Sequence, residues 1–190
     1  MSRTLLYTLT LTGALLSAQD ITGGLSTGLS APEGDLKDKS GFGTNQLLGV
    51  HVGGHLDFNL TSHHQVRGHL TFQDFPGSNW GFSGPKNNFK AIQVGADWVY
   101  HFENPHHGWY TIAGGSINSL KDDYSRPGYS ASASQSGKLG VRGGGGYTFT
   151  PSFSLEGTLN QVFVEAGGSN GFGFATATWV QASAVFRFGR

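Results

Sequence analysis

The chain contains no cysteine. A disulfide framework is therefore excluded, and an exported chain of this kind must be held by its fold alone, which suits an extensively hydrogen-bonded sheet. Charge is scarce and balanced. Charged residues make up 13% of the chain, twelve basic against twelve acidic, which leaves no electrostatic case for a nucleic-acid partner. Past the first residues no segment approaches the roughly 18 consecutive apolar residues of a membrane-spanning helix. No 3.6-residue apolar period intrudes anywhere either, so helices are not expected.

What is present begins with MSRTLLYTLTLTGALLSAQ. Arg3, an apolar run from Leu5 to Leu16 and the small pair Ser17-Ala18 read as a secretory signal peptide over residues 1–18, leaving one domain over 19–190. Removing it takes Arg3 from the twelve basic residues, so 11 face 12 acidic ones. Glycine is the commonest residue at 31 and aromatics make up 13%. A mean hydropathy of −0.23 does not exclude a membrane protein, because barrels hide their hydrophobicity in alternation.

That alternation is plainest in LLGVHVGGHLDFNL, residues 47–60. One set of alternate positions reads Leu48, Val50, Val52, Gly54, Leu56, Phe58 and Leu60; the other reads Gly49, His51, Gly53, His55, Asp57 and Asn59. This is a strand with one apolar and one polar face. Eight such segments are expected, at 20–32, 47–61, 64–76, 88–102, 108–120, 137–149, 153–165 and 174–188. Connections after the second, fourth and sixth are short (TS, ENPHH, TPS). Those after the odd-numbered segments are longer and rich in Gly, Ser, Asn and Pro, such as KDDYSRPGYSASASQSG. All short turns thus fall at one end and all long loops at the other, the layout of an outer-membrane barrel.

Strand four fixes which face meets lipid. In FKAIQVGADWVYHF one row is Ile92, Val94, Ala96, Trp98, Tyr100 and Phe102, and the other is Ala91, Gln93, Gly95, Asp97, Val99 and His101. The apolar row ends in three aromatics beside a short turn, with Trp109 and Tyr110 just past it. Tyr147, Phe149 and Phe153 flank another short turn, and Phe186 and Phe188 close the last strand. Aromatics collected at one rim are what an interfacial girdle requires, and the opposite rows of His, Asp, Arg, Gln and Gly would make a poor dry core. The glycine-rich GKLGVRGGGGYTF is expected to make room inside a crowded barrel. It lacks the Lys-Ser/Thr and helix of a phosphate-binding loop.

With its signal peptide, eight alternating segments and aromatic last strand, the chain resembles the OmpA/OmpX-type outer membrane protein β-barrel domains over residues 20–190. The resemblance implies an all-β, eight-stranded antiparallel up-and-down barrel in the outer membrane of a Gram-negative-type envelope, with short periplasmic turns and long extracellular loops. The ending Val185-Phe186-Arg187-Phe188 resembles the signal by which the barrel assembly machinery selects its clients, although Gly189 and Arg190 follow it. Implied partners are outer-membrane lipid and lipopolysaccharide, the assembly machinery, and a surface partner through the loops. No cofactor is implied.

The candidate site is the lumen. Centring the second hairpin on Ser62 places His55 opposite His69 and Asp57 opposite Arg67, all inward, while Leu56 meets Gly68. With Asp97, Lys138, Arg142, Glu156, Arg187 and His51, these form an expected polar network that fills a narrow lumen. A metal site on His51, His55 and His69 is the sharper alternative. However, His51 and His55 lie about 13 Å apart along a strand, and two ligands are too few. A narrow porin-like channel and a lipid A-modifying enzyme are further readings. Against the enzyme, no His-x-Ser occurs, and no trio of nucleophile, base and orienting acid presents itself. Loop aromatics Trp80, Phe82, Tyr124, Tyr129 and Phe172, with Asn79, are the candidates for surface contact.

Overall fold

A computed structural model describes residues 20–38, 48–76, 86–126, 128–165 and 175–188. The expected signal segment lies outside them, as do Asn79, Trp80, Phe82, Phe172, Gly189 and Arg190. The strands are β1 (Asp20–Glu33), β2 (Gly49–Asn59), β3 (His64–Phe75), β4 (Lys86–His101), β5 (Gly108–Arg126), β6 (Tyr129–Thr150), β7 (Phe153–Phe163) and β8 (Thr176–Phe188). Each pairs antiparallel with the next, and β8 pairs with β1, so the sheet closes as an up-and-down barrel.

Period-two alternation is what permits closure between two different solvents: every second side chain points away from the axis. The pairing also fixes the width. Starting at Tyr100 on β4, hydrogen-bonded neighbours run through Thr111, Gly145, Gly157, Ala182, Leu29, Val50 and Asp74. They return to β4 at Lys90, ten residues from the start. A shift of ten over eight strands tilts the strands by about 40° and leaves an interior just wide enough for side chains.

The outward rows are apolar and exposed. On β4 they run from Ile92 through Val94, Trp98 and Tyr100 to Phe102 just past its end. At about 3.3 Å per residue and a tilt near 40°, those ten steps cover about 25 Å of thickness, the height of a lipid-facing belt. The turn end of the belt is aromatic. Trp109 packs on Tyr147, Tyr147 on Phe149, Phe149 on Phe153 and Phe153 on Phe186, with ring centroids 4.9–5.9 Å apart across β5 to β8. Tyr100 meets Phe102 edge-on at 5.4 Å. Trp98 and Phe188 are outward as well.

Three features differ from the sequence expectations. Residues 121–126 and 129–137, expected in a loop, are strand: β5 and β6 run on as a long hairpin, pairing Lys121 with Ser134 through to Arg126 with Tyr129. Its Ser-Ala alternation carries no apolar face of its own, and β5 supplies the partner that orders it. A bulge between Asn118 and Leu120 coincides with Gly137 at φ 72°, a left-handed conformation that glycine adopts without strain. Secondly, the first long connection holds a single helical turn, α1 (Asp35–Asp38), too short to show a period. Thirdly, Tyr110 does not join the aromatic rim; it is only 1% exposed, inside the barrel, as its alternation with outward Trp109 requires.

Inside the loop end lies an apolar cluster that the polar-lumen expectation did not contain. Leu36 of α1 is fully buried with Phe75, Phe89, Leu120, Val162, Ala177 and Trp179, and Phe75 meets both Phe89 and Trp179 at about 6 Å. Trp179→Ala would empty the largest of these sites and is expected to cost about 3–5 kcal/mol. The measurement is the urea midpoint of the folded, heat-modifiable gel band. A midpoint equal to wild type would show that this cluster adds nothing to the fold.

Candidate functional site

Four strands show the same layering of inward side chains. From turn end to loop end, β3 presents Gln65, Arg67, His69, Thr71, Gln73 and Phe75. β7 presents Ser154, Glu156, Thr158, Asn160 and Val162. β4 and β8 run the same way, from Asp97 to Phe89 and from Arg187 to Trp179. On these strands the lumen is charged in its lower half, lined by amides and hydroxyls in the middle, and apolar at the top. β4 and β5 add a small apolar group of Val99, Tyr110 and Ile112 below, and β5 adds the buried carboxyl of Asp122 above, opposite Phe89.

The register places His55 opposite His69, Asp57 opposite Arg67 and Leu56 opposite Gly68, and Arg67 in turn faces Asp97 on β4. Around these pairs the charged layer assembles. Arg67 donates from Nε to Asp57 Oδ1 at 2.8 Å and from Nη1 to Glu156 Oε2 at 2.6 Å. Arg142 donates from Nη2 to Glu156 Oε1 at 2.6 Å and lies 3.4 Å from Asp97 Oδ2. Arg187 reaches Asp57 Oδ2 at 3.2 Å and Ser154 Oγ at 2.6 Å. Three guanidiniums thus meet three carboxylates, all nearly excluded from water. Such short charge-assisted bonds offset the desolvation that would otherwise expel these groups.

β3 and β7 stand four strands apart in either direction round the barrel. The Arg67–Glu156 bond therefore spans a diameter. Glu156 accepts from both arginines and from Tyr110 OH at 3.3 Å, which makes it the hub. Tyr110 was the member that the sequence reading missed; strict alternation from Trp109 was the available signal. Space for it comes from Gly146, where a Cβ would lie 2.5 Å from the phenol. Gly95 does the same for His69 Nε2, at 2.6 Å.

The histidines divide. His55 and His69 approach Asp57 and Asp97 at 3.8 and 3.6 Å, beyond hydrogen-bond length. His51 belongs to the middle layer, with Nδ1 at 3.0 Å from Ser30 Oγ and Nε2 at 2.9 Å from Ser183 Oγ. Its ring is therefore engaged away from His55 and His69, and among the described residues no group of three His, Asp or Glu is placed to hold a metal ion. In that layer Gln181 donates to Gln73 at 3.0 Å and accepts from Asn160 at 3.1 Å. Lys138 lies above the charged layer, bonded to Glu165 at 2.6 Å, which holds that exposed carboxyl below its ordinary range.

Glu156→Ala leaves Arg67 and Arg142 facing each other in a dry site. A loss of about 3–5 kcal/mol is expected, the cost of breaking a buried ion pair by removing one partner, read as a lowered urea midpoint in detergent or lipid. If the variant unfolds at the wild-type concentration, the hub role assigned to Glu156 is wrong.

No family model and no curated protein sequence matches the chain. Solved structures do. It is similar to Ail, the attachment invasion locus protein of Yersinia pestis, at 15% identity and a TM-score of 0.59, over 90% of this chain and 100% of that one. It is similar to the Neisserial surface protein A (NspA) at 14% identity and a TM-score of 0.55, over 88% and 97%. A third likeness is to the N-terminal β-barrel domain of Pseudomonas aeruginosa OprF, at 15% identity and a TM-score of 0.53, over 90% and 98%. At such identities the likeness is one of fold. Lipid-matched rows outside and ion pairs inside are what a barrel needs in a membrane, and this chain shares the fold of these three proteins, a closed eight-stranded up-and-down β-barrel.

Proposed function

We propose that this chain is an outer-membrane barrel whose role is structural or surface-interactive, with a lumen plugged by its own side chains. One observation carries the reading: the side chains of Arg67 and Glu156, joined by a bond of 2.6 Å, together cross the width of the barrel from β3 to β7. The bonds to Asp57, Arg142, Tyr110 and Arg187 occupy the rest of that level, and the apolar cluster around Leu36 lies above it. An ion crossing the barrel would have to break both layers.

Two other readings are less well supported. A narrow porin-like channel needs a continuous wet path, which this side-chain arrangement opposes. A lipid A-modifying enzyme needs its nucleophile facing lipid, whereas His51 meets Ser30 and Ser183 inside the barrel. We therefore read the protein as non-enzymatic. Its outward belt meets outer-membrane lipid and lipopolysaccharide, and Phe186 and Phe188 on β8 offer the barrel assembly machinery its recognition end. The β5–β6 hairpin, with Tyr124 packed on Tyr129 at 6.1 Å and Tyr129 half exposed, offers a surface for an external partner. The signal peptide over residues 1–18 completes the export route.

Planar-bilayer recording on the purified barrel tests the plug. Wild type is expected to give no steady conductance steps. The variant Asp57→Ala/Arg67→Ala/Glu156→Ala, which removes the charged layer, is expected to leak if it folds. Regular steps from the wild-type protein would overturn the plugged reading in favour of the channel.

A further inference from the structure

Among the described residues, the outward surface carries a charged feature that the barrel does not use. Lys90 and Lys121 are direct cross-strand partners on β4 and β5, and both point outward at the upper edge of the belt, one step above Ile92. Like charges directly opposite on a sheet face destabilise it. Lys121 is steadied by Asp123, with Nζ at 2.8 Å from Oδ2; that bond holds the carboxyl below its ordinary range and therefore ionised. Lys90 faces Asp74 on β3 in register and adds to the field on Asp123, yet it forms no ion pair within 4 Å of a carboxylate among the described residues. Its ammonium is exposed and has three donors to give.

Beside the two lysines an open groove of about 700 Å³ crosses the outer face from Thr27 on β1 to Ser136 on β6. Val50, Val52, Phe72 and Ile92 form its apolar wall. Polar heads above and a continuous apolar channel below is the division found in a lipid molecule itself. We propose that this groove seats a phosphate-bearing lipid of the outer leaflet, its phosphate bridging Lys90 and Lys121 and an acyl chain lying along Val52, Phe72 and Ile92.

The chemistry of the pair suits that occupant. Cross-strand neighbours stand about 5 Å apart, and long lysine stems can lift both ammoniums to head-group height while their methylenes cover apolar surface. A phosphate accepts from both at once and removes the repulsion between them. Asp74 and Asp123 balance the local charge, so the patch has little long-range pull on anions. Recognition therefore depends on a chain already seated in the groove, which favours a lipid over a free anion.

This inference rests on the lipid-facing reading of the belt, and the experiment separates the two. Wild type, Lys90→Gln, Lys121→Gln, the double variant and Ile92→Trp, which fills the groove without altering charge, are first checked for heat-modifiable folding and membrane fractionation. A wild-type chain that fails there overturns the barrel reading itself. Folded proteins in phosphatidylcholine nanodiscs are then titrated with lipopolysaccharide, and bound lipid is read by native mass spectrometry. Each single lysine change is expected to weaken retention about five-fold, the factor equivalent to about 1 kcal/mol per lysine at a membrane surface. The double variant and Ile92→Trp should lose more than ten-fold, and dephosphorylated lipopolysaccharide should bind wild type no better than the double variant. Equal retention by wild type and double variant overturns the proposal. So does equal binding of the phosphate-free lipid, or displacement by inorganic phosphate at matched concentration.

Discussion

A sheet in hydrocarbon cannot have an edge. Every unpaired N–H and C=O there costs several kcal/mol, so a β protein in lipid must join its last strand to its first. Here that closing seam is the pairing of β1 with β8, from Gly23 opposite Phe188 to Glu33 opposite Thr178. Once eight strands close with a shift of ten residues, the radius is set and the volume inside is no longer free to vary. Everything inward must fit that radius. This is why small residues stand beside the largest polar ones: Gly95 beside His69 and Gly146 beside Tyr110. The glycines that weaken β6 as a strand are the same ones that let its neighbours' side chains enter the barrel.

Within that fixed bore, filling and solvation become one problem. An isolated buried charge is not tolerable, but alternating signs in bonding contact are. The chain Arg187–Asp57–Arg67–Glu156–Arg142–Asp97 alternates sign at every link, and it draws on β8, β2, β3, β7, β6 and β4. No two consecutive members of this chain share a strand. The network therefore forms only when the barrel is closed, which ties side-chain electrostatics to backbone topology. Above it the filling changes to Phe75, Phe89, Trp179 and Leu36, a dry cluster with the buried carboxyl of Asp122 at its margin, opposite Phe89.

How much of this was legible follows from where period two holds. On β2, β3 and β4 the alternation is unbroken, so both the facing and the pairs Asp57–Arg67 and His55–His69 could be read directly from residue numbers. The ladder partners of a hairpin depend only on its turn, and a four-residue connection from Leu60 to His63 leaves little choice. The partners of Glu156 could not be read in this way. Arg67 and Tyr110 come from β3 and β5, which do not adjoin β7, and depend on the shift round the barrel. Arg142 comes from the adjoining β6 but from four residues away from the ladder partner of Glu156. The long β5–β6 hairpin was hidden because Ser-Ala repeats resemble a flexible linker when no apolar face marks them. The apolar cup was hidden for the opposite reason: Phe75, Phe89 and Trp179 sit on inward rows, where alternation alone expects polar side chains, and one of their partners, Leu36, arrives from a connecting segment.

The internal cancellation of charge has an outward consequence. The three carboxylates of the lumen network balance its three arginines, and ions so closely paired project little field beyond the barrel wall. Among the described residues, the electrostatic character that the membrane and other molecules meet is therefore set by the charges pointing out: Asp74, Lys90, Lys121 and Asp123 at the upper edge of the belt, Glu165 beside Lys138 and the exposed Glu33 and Lys37 above it, and Glu103 at the turn end. Specificity for any partner must then come from contact geometry at that edge and along the extended hairpin. A barrel that neutralises its own interior can change partners by altering only its rim, without reopening the packing problem inside.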